Sequence, residues 1–178
     1  LAEFGLSGAF PKPGVGDLMS LRISNGSENK ADYYVNQLVL YQVRHSFSTG
    51  RTTAKLGALI GNSAPASGQP AYVLGNQDTR AGRTDGRPFG STTLQVSIYS
   101  ALRPVSMTID GHGVGMQVQR ELGSWVATQT VTIPPGGQVT IELRVEGVLP
   151  RADPYSLDLL SQPTAKRPNI GAVLQATD

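Results

Sequence analysis

The chain has 178 residues, 16% of them charged, a formal net charge of +2 and no cysteine. That length suits one domain able to bury about 70% of its unfolded surface without a covalent staple. The missing cysteines exclude disulfide frameworks, thiol catalysis and cysteine-based zinc sites. The small Arg excess is spread along the chain and makes no basic face for a nucleic acid, and no apolar run approaches the 18 residues of a membrane-spanning helix.

Gly (21) and Pro (12) are abundant beside Thr, Ser, Val and Gln, a composition of strands and turns. The opening LAEFGLSGAF lacks a Met and a signal-peptide pattern, so the chain reads as a piece of a longer precursor. Residues 1–16, with PKPGVG, are expected to be a linker or irregular leading segment. Residues 17–178 are expected to form one β-sandwich domain.

DLMSLRIS (17–24) is a short strand ending at the turn signal SNGS. In the Asn29-Lys30-Ala31-Asp32 turn, the side chains of Asn29 and Asp32 are expected to bond to the backbone. The next stretch is apolar on both alternating faces. Tyr33, Val35, Val39, Tyr41 and Val43 form one face, and Tyr34, Leu38 and Leu40 the other. It predicts a central strand covered on both sides, or one that passes from one sheet edge to another layer. A strand at 51–62 follows. Residues 61–92 are rich in Gly, Pro, Ser and Asn, which predicts one long irregular loop, with AYVL (71–74) as a short edge strand.

From residue 93 the alternation is clean, in 93–100, 104–111, 114–123, 124–133 and 139–146, with shorter strands at 155–163 and 171–176. The inward residues are expected to be Val96, Ile98, Met107, Ile109, Met116, Val118, Trp125, Ile141, Leu143 and Val145, with Val105 and Val114 in the same alternating rows as Met107 and Met116. No segment has a 3.6-residue period. The fold class expected is all-β: a two-layer antiparallel β-sandwich, immunoglobulin-like in outline but without Cys-Trp-Cys spacing.

Motifs for chemistry are sparse. His45 stands near a strand end and His112 in the turn DGHGVG, with no HxH or HExxH. GNSAP (61–65) starts like a nucleophile elbow and fails at Pro65. Asp110, Glu121, Asp153 and Asp158 are candidate members of a carboxylate pair, without a local signature. No catalytic residue, metal site or cofactor motif is assigned. The binding candidates are Arg80, Arg83 and Arg87 in DTRAGRTDGR, whose guanidinium forks match carboxylate or phosphate groups. Tyr72 or Tyr99 is expected to add a neighbouring stacking surface. Asn76, Asp78 and Asp85 lack the spacing of a calcium loop.

Several segments occur in a collinear series: ENKADYYVNQLVLYQV, LGALIGNSAPASGQPAYVLGN, PFG before IYSAL, RELGSWVATQTVTIPPGGQVTIELRVEG and PYSLDLLSQPT. The series resembles the C-terminal region of a bacterial cell-envelope family called domain of unknown function 4012, over about residues 17–176. Its marks are the Asn29-Lys30-x-Asp32-Tyr33 turn, Asn62-x-Ala64-Pro65 and Gln162-Pro163. The resemblance implies an extracytoplasmic module of a protein anchored by an N-terminal membrane helix that lies outside this sequence. The partner expected is an anionic envelope polysaccharide or an envelope protein. It implies no catalytic residues. A non-catalytic interaction or scaffold role is expected, and the alternative is a module of an enzyme acting on envelope glycans or glycopolymers.

Overall fold

A computed structural model describes residues 16–27, 29–75, 86–151 and 154–177. The strands are β1 (Asp17–Asn25), β2 (Val35–His45), β3 (Arg51–Asn62), β4 (Thr92–Ser100), β5 (Arg103–Ile109) and β6 (His112–Val114). They continue as β7 (Gln117–Glu121), β8 (Ser124–Ile133), β9 (Gln138–Val148), β10 (Leu157–Ser161) and β11 (Asn169–Ala176). A 3-10 turn spans Ala31–Tyr34, and one helical turn, α1, spans Ala71–Leu74. The expected edge strand at AYVL is therefore helical. Pro70 starts it with its fixed φ, and Gly75 follows it.

The strands form two sheets, ordered β10-β1-β4-β8-β7 and β11-β2-β3-β9-β5-β6. Their inner faces share one apolar core that includes Met19, Leu21, Tyr41, Leu56, Ile98, Ile133, Ile141 and Leu143. The architecture is an all-β sandwich. Its edges depart from the antiparallel expectation, because β10 pairs with β1 in parallel and β11 pairs with β2 in parallel. The last two strands thus close the same side of both sheets, against the first two.

Most periodic residues land inward, but three local effects redirect others. β2 alternates strictly, so its second apolar row is not covered: Leu38 and Leu40 are exposed. Leu40 stands between Gly57 and Gly171 on the neighbouring strands, which offer no side chain to cover it. Tyr33 and Tyr34 belong to the 3-10 turn, not to the strand. Burial on both faces occurs instead at the start of β1, where Asp17 through Leu21 are all buried.

In β5 the register shifts between Pro104 and Ser106. An extra residue reverses the faces, so Val105 points out while Met107 stays buried. The segment 114–123 is split: β6 pairs with β5 in one sheet and β7 with β8 in the other. Val114 and Met116 are half-buried against the core, and Val118 is exposed. Ile109 is half-buried. So is Trp125, at the sheet margin opposite Arg120, whose guanidinium carbon lies 4.1 Å from the ring centroid.

Candidate functional site

One end of the sandwich is built from short turns held by asparagines. After β1, Asn25 accepts from the Ser27 N–H (2.8 Å) and donates to the Asn29 carbonyl (2.8 Å). Asn29 Oδ1 accepts from the Ala31 N–H at 3.1 Å, which launches the 3-10 turn as expected. Asp32 accepts from the Asn25 side chain at 3.2 Å, a bond to a side chain where one to backbone was expected. The Lys30 N–H donates to the Val73 carbonyl (2.8 Å), joining the 3-10 turn to α1. Beneath them Ala31, Ala64 and Leu74 make a small buried cluster of their own, with Tyr34, Val73 and Phe89 packed on it.

Asn62 ties the remaining loops to this end. Fully buried, it donates to the Gly90 and Ile133 carbonyls (2.9 and 3.0 Å) and accepts from the Ala64 N–H (2.9 Å). The failed elbow GNSAP is thus a structural knot.

On this platform Tyr33 and Tyr72 project from the two adjoined turns, 60% and 61% exposed. The Lys30 ammonium lies 5.7 Å from the Tyr72 ring centroid, and the rings of Tyr33 and Tyr34 meet edge to face at 5.2 Å. Arg87 donates to Thr93 Oγ1 at 2.6 Å at the foot of the same end. Arg80 and Arg83, with Asn76, Asp78 and Asp85, lie outside the described residues, as do most of the leading segment 1–16 and Asp153. Tyr99 does not join the group. It donates to Glu121 Oε2 at 3.0 Å, six residues along β4 from Thr93, or about 20 Å at the rise of a strand. Partial burial and the Glu121 bond both push its phenol pKa up. Sequence reasoning gave Tyr33 to the core, and only its placement in a turn shows it at the surface.

The opposite end holds a buried polar node. The Asp17 carboxylate accepts from its neighbour's N–H on Leu18 (2.8 Å), from Tyr41 Oη (3.1 Å) and from Tyr155 Oη. Burial raises its pKa, and these hydrogen bonds oppose that rise. Both phenols are pushed up by burial and by the Asp17 charge. His45, also buried, packs its ring against Phe47 and Tyr155. Its Nδ1 lies 2.8 Å from Thr52 Oγ1, and Thr52 spends its own proton on the Gly50 carbonyl (3.0 Å). Nδ1 therefore carries the imidazole proton, and Nε2 has no partner among the described residues. The hydroxyl that His45 meets, that of Thr52, is itself buried and bonded to a backbone carbonyl. The node welds β1, β2 and the chain entering β10.

Among the described residues the other chemistry candidates lie on separate elements, except Asp110 and His112, which share the β5–β6 hairpin. Asp110 accepts from the Thr140 N–H at 2.8 Å beside the Asp110-Gly111 hairpin turn. Glu121 ends β7, Asp158 lies on the edge strand β10, and His112 is exposed at the start of β6. Among the described residues no three His, Asp or Glu are grouped to hold a metal ion. No helix among them is long and apolar enough to cross a membrane.

The outer face of the six-stranded sheet holds a further feature, an open groove of about 610 Å³. Gln42 and Arg44 of β2, Thr53 and Lys55 of β3, and Arg144 and Glu146 of β9 line it. None of these residues is a binding candidate in the sequence.

No family model matches the chain, and no curated protein matches it. Among solved structures, it is similar to a Legionella pneumophila protein provisionally named as nutrient-binding, at 10% identity and a TM-score of 0.42. The likeness covers 76% of this chain and 44% of that one, so the chain spans less than half of that protein's length. A likeness at this level carries no argument about fold or ligand.

Proposed function

We propose that this chain is a non-catalytic β-sandwich module of a bacterial cell-envelope protein. In this reading it acts outside the cytoplasmic membrane as an interaction or scaffold domain, and it holds a polysaccharide or protein partner at its loop end. The observation that carries the binding reading is the pair of exposed phenols, Tyr33 and Tyr72, on two short turns locked together by the Lys30–Val73 hydrogen bond. Rigid aromatic groups give contact area at small cost in conformational entropy, and loops on a stiff scaffold are where binding residues concentrate. Lys30 and Arg87 add positive charge at the same end. The envelope context is supported by the resemblance of residues 17–176 to the family named above.

The test is a glycan array and a pull-down from envelope extract, run with the parent and with Tyr33→Ala and Tyr72→Ala. The expected result is a ligand or partner captured by the parent and lost from both variants at unchanged melting temperature. Capture that survives both substitutions, or a parent that retains nothing, overturns the loop-end site.

A further inference from the structure

The groove on the six-stranded sheet lies toward the far end of β2 from Tyr33 and Tyr72, and its chemistry is different. One row across the sheet runs Val173, Gln42, Lys55, Arg144, and the next runs Gln175, Arg44, Thr53, Glu146. Lys55 and Arg144 are thus direct cross-strand partners, with Cβ atoms about 4.5–5.5 Å apart by the geometry of such pairs. Arg44 is the diagonal neighbour of Lys55, about 7–8 Å away by the same geometry. Like charges placed directly opposite one another destabilise a sheet. Lys55 is relieved by Glu142, at 3.1 Å. Glu146 is the acidic residue that lines the groove itself, against Arg44, Lys55 and Arg144. Arg44 is steadied by a hydrogen bond from Nε to Gln175 Oε1 (3.1 Å).

We propose that this groove is a second binding site, for an acidic glycan whose sugars carry carboxylate groups. A carboxylate set between Arg44, Lys55 and Arg144 offsets the repulsion of the like-charged pair, and the arginine forks match its two oxygens. The rest of the lining suits sugar hydroxyls. Gln42, Gln175 and Thr53 offer groups that both donate and accept, as hydroxyls require. A peptide laid on the face of a sheet, instead of along its edge, would leave its own backbone N–H and C=O groups without a ladder. The bulge in β5 serves the site as well: it turns Val105 outward into one wall of the groove, opposite Val173.

The experiment is titration calorimetry of the chain with an oligogalacturonate at low salt. The comparison ligands are its methyl ester, poly-glutamate and dextran. The oligogalacturonate is expected to bind, the ester and dextran are not, and affinity is expected to fall as added salt screens the exposed charges. Arg144→Gln and Arg44→Gln are each expected to weaken binding about tenfold or more, as loss of an arginine–carboxylate pair does. The melting temperature of Arg144→Gln should equal or exceed the parent's, because the like-charge pair is gone. No oligogalacturonate binding, equal binding of poly-glutamate, or affinity of Arg144→Gln within about twofold of the parent overturns the proposal. Tyr72→Ala, which tests the loop end, is expected to leave this binding unchanged, so the two sites fail separately.

Discussion

The side chain of Gln162 pairs with the backbone of Ile23 as if it were another residue of the sheet. Its Oε1 accepts from the Ile23 N–H at 2.8 Å, and its Nε2 donates to the Ile23 carbonyl at 3.0 Å. The parallel ladder of β10 on β1 ends at Leu21 and Ser161, and the amide extends it past Pro163, which cannot donate. Gln162→Ala leaves both backbone groups of Ile23 without these partners. A loss of about 1–3 kcal/mol in urea unfolding is expected, with faster hydrogen exchange at the Ile23 amide. Unchanged exchange there would show that water replaces the amide without cost.

Asn62 does the same for three loops at once. Asn62→Ala removes two donors from buried carbonyls and the acceptor of the Ala64 N–H. A loss of more than about 2 kcal/mol is expected, since each orphaned buried group carries its own desolvation cost. The Tyr33–Tyr72 platform should loosen with it, read as higher protease sensitivity near residues 62–75. Thermal unfolding within about 1 °C of the parent would contradict the knot.

Asp17 makes stability depend on pH in a stated direction. Its folded pKa is raised above the ordinary 3.8, chiefly by burial. A raised pKa means that the native state holds the proton more tightly than the unfolded chain does. The associated stabilisation is present below pH 3.8 and is lost as pH rises through the folded value. The difference in unfolding free energy between the parent and Asp17→Asn should therefore move against the parent as pH rises across that window, and then level off. Tyr155→Phe removes a hydrogen bond that favours the carboxylate, so it should carry the window to higher pH. A parent-minus-variant difference flat from pH 3 to 8 would rule out the shift.

Leu143 and Val118 separate core from surface. Leu143 is fully buried between the sheets, and Leu143→Ala should cost about 2–5 kcal/mol. Val118 is 42% exposed on β7, and Val118→Ala should cost less than about 0.5 kcal/mol. Equal costs, measured by urea denaturation, would mean that the inward register of β9 or the placement of β7 is wrong.

The strands and most of their inward faces were legible because a period of two in Val139, Ile141, Leu143 and Val145 answers to one physical demand, burial of one face. The turns were legible for a similar reason. Asn29 and Asp110-Gly111 carry backbone preferences that act within a few residues. The motif residues Asn29, Asn62 and Gln162 stood out in the sequence through their resemblance to an envelope family, and the structure gives all three a hydrogen-bonding role in the fold. Of the binding candidates, Tyr72 and Arg87 are found at one end, Tyr99 is far from them, and Tyr33 joins Tyr72 unforeseen.

The local pattern by itself determined an all-β chain with most of its strands and much of its core, because side-chain alternation and turn chemistry are short-range. Pairing decided everything else. The sequence holds nothing local to place β10 beside β1 and β11 beside β2 in parallel, to split residues 112–121 between two sheets, or to bulge β5 and turn Val105 outward. Nor could it show that Lys55 faces Arg144 across a strand gap, 89 residues on in the chain. Such neighbours are set by which strands hydrogen-bond and in what register. That is a property of the whole sandwich's buried surface, not of any one segment.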